Sequence, residues 1–139
     1  MSRVVFDFTG ENFVVTGASS GMGRQVAVEL AAAGANVLAI ARNEARLQEL
    51  QAQYPANISV AALDVCDSEK MENAIKDFVG ANGKLHGGVH AAGINNFTPL
   101  KTYDKSLANK IMDTSFWAGV ELARIVTKAK YANKGMSTV

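Results

Sequence analysis

The chain has 139 residues, with 14 Lys+Arg against 13 Asp+Glu and a single cysteine. A length of about 150 residues is one domain's worth, here 1–139, and 48% hydrophobic residues argue against a disordered chain. A net charge of +1 without a basic patch argues against a nucleic-acid partner, and no apolar run is long enough to span a bilayer, so a soluble cytoplasmic protein without a membrane contact is expected.

Phe13-Val14-Val15-Thr16 is a short β-branched run that stops at Gly17 and reads as a strand buried on both faces. From Gly21 onward, Met22, Val26 and Leu30 recur at four-residue steps beside Ala27 and Ala31. They make one helical face, and Gly34 is placed to end the helix. Asn36 to Ala41 is a second strand. Asn43 can cap the helix that follows, with Leu47 and Leu50 facing inward. Ile58 to Val65 is a third strand. Asp67 or Ser68 starts a helix whose apolar stripe is Met71, Ile75 and Phe78. Leu85 to Ala91 is a fourth strand. Strict alternation of strand and helix predicts an α/β fold: a Rossmann-like, doubly wound parallel sheet in three α/β/α layers.

A long helix is expected from Lys105 to Lys130. Leu107, Ile111, Ser115, Ala118, Leu122, Ile125 and Ala129 form one stripe, and Met112, Phe116, Gly119, Ala123 and Val126 a second. Together they are wider than one sheet contact requires, so the neighbour is either more of the same chain or another subunit. A fifth strand would be starting at Gly135 to Val139.

The chemistry concentrates at the strand ends. Thr16-Gly17-Ala18-Ser19-Ser20-Gly21-Met22-Gly23 joins the first strand to the first helix, where glycines admit a ligand close to the backbone. The helix start favours an anion such as a pyrophosphate. In a dinucleotide fold the second strand ends beside the adenosine ribose. Here it ends Ile40-Ala41-Arg42-Asn43, with no carboxylate before Glu44, and Arg46 follows one turn later. An arginine in that place suits a 2′-phosphate, hence NADP ahead of NAD; the other reading is that both arginines solvate the helix start. Asp64 can accept from an adenine amino group or cap a turn. A metal shared by His86 and His90 is not expected, since four strand steps hold them roughly 13 Å apart. Cys66 reads as a small filler.

In their order and spacing these residues resemble the N-terminal half of a short-chain dehydrogenase/reductase. The motifs are the Thr-Gly-x-x-x-Gly-x-Gly turn at Thr16 to Gly23, Asp64-Val65, and an Asn-Asn-Ala-Gly-like segment at His90 to Gly93. The resemblance implies hydride transfer between a nicotinamide cofactor and a small carbonyl or alcohol substrate. It places Gly17, Ser19, Ser20, Gly21, Met22 and Gly23 on the pyrophosphate and adjacent sugar. Arg42, beside Asn43, would meet the 2′-phosphate, Asp64 and Val65 the adenine, and Ala91, Ala92 and Gly93 the nicotinamide-side ribose. It also implies a homo-oligomer packed through the 105–130 helix.

Three positions depart from the family pattern. His90-Ala91 replaces two asparagines. Ser115 stands where the family has an asparagine of its catalytic tetrad, and otherwise reads as a small residue in a helix contact. No tyrosine is followed by lysine four residues on: Tyr54 meets Ile58, Tyr103 meets Leu107 and Tyr131 meets Gly135. Reduction of a ketone needs a positioned acid as well as a hydride. A fourth strand left without an outer neighbour would also be an open apolar edge. The expectation is therefore the cofactor half of a longer enzyme, inactive alone. The alternative is a non-catalytic NADP-binding module that completes its sheet by oligomerisation.

Overall fold

A computed structural model describes residues 4–138. Its strands are β1 (Asn12–Thr16), β2 (Asn36–Ala41), β3 (Ile58–Ala62), β4 (Leu85–His90) and β5 (Ala132–Thr138). The helices α1 (Gly21–Ala32), α2 (Glu44–Gln53) and α3 (Ser68–Asn82) link the first four strands. All pairings are parallel, in the order β3-β2-β1-β4-β5. This is the Rossmann-like α/β architecture.

Side-chain alternation along the strands builds two cores. Val15, Val37 and Ala39 face Ala27, Ala31, Leu47 and Leu50 of α1 and α2. Val14, Leu38 and Ile40 face Met71, Ile75 and Phe78 of α3. Asp67 is the residue that caps α3, accepting from Lys70 N–H at 3.1 Å. α1 turns inward the Ala27–Ala31 side of the expected face, with Val26 and Leu30 only half-buried. Gly23, Ala27 and Ala31 are its buried row, and Met22 is 83% exposed. Small residues let the start of α1 lie against the strand ends, and the larger ones flank that contact.

The predicted helix over 105–130 is broken. α4 (Lys105–Met112) passes through a π turn at Asp113–Trp117 into α5 (Ala118–Val126). α5 buries Leu122 and Ile125, worth roughly 1.5–3 kcal/mol each. α4 buries none of its residues. The helix stops at Val126 because the chain must turn back to form β5. Glu72 of α3 fastens that turn, meeting Lys128 Nζ at 2.7 Å, Tyr131 Oη at 3.1 Å and Lys130 Nζ at 3.3 Å.

β5 also corrects the expected open edge. It begins at Ala132, ahead of Gly135, and pairs with β4 from Leu85↔Ala132 to Gly88↔Thr138 across an irregular register. β4 is therefore interior. Val139 lies outside the described residues, and β3 likewise ends earlier than expected, at Ala62, placing Asp64-Val65 in a turn. No helix among the described residues is long and apolar enough to cross a membrane.

Candidate functional site

The chain leaves β1 toward α1 on one face of the sheet and leaves β4 toward α4 and α5 on the other. Their diverging carboxyl ends open a crevice, the place where such sheets hold ligands. A cleft of about 710 Å³ occupies it.

The β1–α1 turn forms its floor. Gly17 has φ +68°, and a Cβ there would lie 2.6 Å from the carbonyl carbon of Ala91 and 2.6 Å from the amide of Ala92. A Cβ on Gly23 would strike the carbonyl oxygen of Gly17. The turn is therefore folded against both the helix start and the end of β4, with no volume left for side chains. Ser20, the residue before α1, makes no side-chain cap, and the first turn of α1 holds no acid. By contrast α2, α3 and α4 start with Asn43, Asp67 and Asp104, each accepting from a backbone N–H. α1 thus presents uncapped N–H groups and the positive end of its dipole to the cleft.

Ser19, Gly21 and Met22 complete that floor. At the end of β2, Arg42 and Asn43 line the cleft, with Arg42 exposed and in no ion pair among the described residues. Asn43 Oδ1 is occupied as the α2 cap, 3.0 Å from Arg46 N–H. Arg24 reaches the same corner, its guanidinium 3.4 Å from the Arg46 carbonyl. Asp64 and Val65 form the side wall; Asp64 Oδ1 accepts from Cys66 N–H at 2.9 Å, so the turn-capping reading of this carboxylate is realised. Ala91, Ala92 and Gly93 form the opposite wall. Every cofactor-site candidate from the sequence therefore meets in one cleft.

Ser115 stands apart, beside a smaller recess with Gly93, Ile94 and Asn95. Its Oγ lies 3.3 Å from both the amide and the carbonyl of Ile94, fastening the segment after β4 to the π turn. Cys66 is exposed and does not fill the core; its Sγ lies 3.6 Å from Thr114 Oγ1, and desolvation raises its pKa above the ordinary thiol value. Thr114 lines the main cleft and was not a candidate from the sequence, because its inward position depends on the π turn. His90 bonds to Thr16 Oγ1 at 2.8 Å, tying β4 to β1 in place of the family's asparagine.

A family model described as short chain dehydrogenase matches residues 11–137. D-erythrulose reductase of Gallus gallus is 34% identical over 125 residues, covering 90% of this chain and 49% of that protein. A short-chain dehydrogenase/reductase (glucose/ribitol dehydrogenase) from Brucella melitensis superposes with TM-score 0.91 at 20% identity, over 97% of this chain and 55% of that one, which speaks to fold alone. L-sorbose reductase of Gluconobacter frateurii, solved with NADPH and L-sorbose, has TM-score 0.78 at 25% identity over 88% of this chain and 48% of its own. The chain spans about half the length of these relatives. With the glycine turn, the parallel sheet and the cleft all where that family's model runs, the chain belongs to the short-chain dehydrogenase family.

Proposed function

We propose that the cleft is the NADP(H) site of an oxidoreductase that moves hydride between the cofactor and a small carbonyl or alcohol substrate. The observation that carries this reading is the meeting of an uncapped α1 start, packed glycine to backbone, with Arg42 at the end of β2, which makes no ion pair among the described residues. The fit is steric as well as electrostatic: the space a Cβ would fill at Gly17 and Gly23 is taken by main chain, so amides rather than side chains face the ligand.

A bound nicotinamide supplies or accepts the hydride. The protein's part is to hold and orient. The amides from Gly17 to Gly23, with the Ser19 and Ser20 hydroxyls, take the pyrophosphate and adjacent sugar. Arg42 takes the 2′-phosphate, with the Asn43 backbone beside it. Asp64 and Val65 border the adenine, and Ala91, Ala92 and Gly93 border the nicotinamide-side ribose. Ser115 acts through Ile94, as a positioning residue for the recess beside that ribose. The acid that would protonate a carbonyl oxygen is not assigned to any of these residues, since no tyrosine carries a lysine four positions on. These 139 residues are on this reading the cofactor-holding half of the machinery, inactive as an oxidoreductase by themselves.

The same absence supports the second reading, a non-catalytic NADP-binding module. Titration of NADPH and NADH by nicotinamide fluorescence tests the shared claim. Arg42→Ala should weaken NADPH about ten- to hundredfold, the worth of one or two charge-assisted hydrogen bonds, and leave NADH almost unchanged. Equal losses for both, or no binding of either, would remove Arg42 from the site or the site from the protein. NADPH bound but not oxidised by any carbonyl in the complete natural protein selects the module.

A further inference from the structure

His90 is the last residue of β4, and three hydrogen bonds converge on it and its neighbour Thr16. Nε2 lies 3.1 Å from the carbonyl oxygen of Thr114, which can only accept. Nε2 therefore carries a hydrogen. In a neutral ring Nδ1 is then bare, and the Thr16 hydroxyl, 2.8 Å away, must donate to it. With its hydrogen so directed, Thr16 Oγ1 accepts from Ala92 N–H at 3.3 Å. One relay thus runs from the Ala92 amide through Thr16 and His90 to the π turn, and one tautomer satisfies every member. Its surroundings are tight: Thr16 is fully buried, and a Cβ on Gly119 of α5 would lie 2.8 Å from His90 Cδ2.

We propose that His90 is a positioning residue which, as a neutral Nε2–H imidazole, holds the Ala91–Gly93 wall of the cleft against β1 and the π turn, and which releases that wall when protonated. A second proton on Nδ1 would face the Thr16 hydroxyl with a donor. The buried Thr16 O–H would lose its acceptor, and the imidazolium would stand without an anionic partner. The elements packed on the ring supply none. β1 offers Thr16, the segment after β4 offers Ala91 and Ala92, and α5 offers Gly119. On these elements the charged and titratable groups are Asp113 of the π turn and Glu121 and Arg124 of α5, with Asp64 and Cys66 in the loop beside Thr114; among the described residues none of them bonds to the ring, and Glu121 is held by Arg124 at 2.9 Å. Burial accordingly keeps the His90 pKa below its ordinary 6.5.

The sign follows from linkage. Below pH 6.5 the open, solvated imidazole takes up a proton that the closed one resists, so closure weakens as pH falls from 6.5 toward the depressed pKa and is unaffected above 6.5. The hydrogen bonds around His90 are features of the chain itself; the consequence for cofactor affinity rests on the reading above.

The test uses the full chain. Nitrogen-15 NMR at about pH 7.5 should show His90 in the Nε2–H form. Ala92 amide protection, corrected for intrinsic exchange, should fall by up to about tenfold for the pH unit below 6.5, since one unit is tenfold in proton binding. His90→Asn places Oδ1 where Nδ1 stood, so it should protect Ala92 with no pH dependence across that range. His90→Phe should leave Ala92 poorly protected at every pH. Calorimetry with NADP+ should show affinity falling with acid in the natural chain and less steeply in His90→Asn, a comparison in which titration of the cofactor phosphate cancels. An Nδ1–H tautomer, flat Ala92 protection in the natural chain, or the same pH dependence in His90→Asn would overturn the proposal. NADP+ that fails to bind at either pH would overturn the functional reading, while the Ala92 data decide His90 separately.

Discussion

Gly17→Ala tests whether the β1–α1 turn and the end of β4 are one packed unit. Two costs add at this position. A residue with a Cβ held at φ +68° is strained by about 1–2 kcal/mol. The methyl would also press on the Ala91–Ala92 peptide at 2.6 Å, and forcing a group into packed backbone adds about 1–3 kcal/mol. The sum, about 2–5 kcal/mol, is a large share of a marginal stability of about 5–15 kcal/mol. For 139 residues it lowers Tm by about 7–17 °C. Gly21→Ala is the matched control. It has φ +56°, but its Cβ would meet nothing within 4 Å, so it carries the strain without the collision. Thermal melts of both variants, followed by circular dichroism, separate the two costs. Equal losses from Gly17→Ala and Gly21→Ala would refute the claim that the turn is wedged against β4.

Two further outcomes follow from other contacts. Hydrogen bonding by Lys128, opposed by some desolvation and reinforced by Tyr131 and Lys130, lowers the Glu72 pKa from 4.5 to about 2. Its contribution is present above pH 4.5 and lost as pH falls toward 2, so Glu72→Gln should melt below the natural chain at neutral pH and converge with it near pH 2; a constant gap would refute the clamp. Met112, Phe116, Trp117 and Val120 lie 43–55% exposed on the π turn and its flanking helices, and we propose that a second copy of the chain covers them; sedimentation should show Trp117→Lys shifting the protein toward monomer, and an unchanged distribution would place the interface elsewhere.

Much of the fold was legible because burial writes period into sequence. The runs at Phe13–Val15 and Val37–Ala41 are apolar throughout because both faces of a parallel strand are covered, and Asn43 and Asp67 mark helix starts by a chemistry that is local. Glycine turns are equally local, so the cleft floor could be read off Gly17 to Gly23. Met22 could not, because the close approach of α1 at Gly23 decides which row turns inward. Nor could the first half of β5: a strand was legible from Gly135 on, but Asn133, Lys134 and Gly135 are poor strand formers, and the strand begins at Ala132 through its pairing with β4.

The π turn left even less trace, since widening a helix by one residue requires no particular composition. Yet it sets the cleft's third side. Within the widened turn, the Thr114 carbonyl accepts from His90 Nε2–H and the Thr114 hydroxyl meets Cys66 Sγ, while Ser115 Oγ holds both backbone groups of Ile94. The loop after β3, the end of β4 and the segment beyond it are therefore joined at two adjacent residues. A histidine at position 90 reaches that junction through Nε2, an outer ring atom that an asparagine side chain lacks, 3.1 Å from the Thr114 carbonyl oxygen.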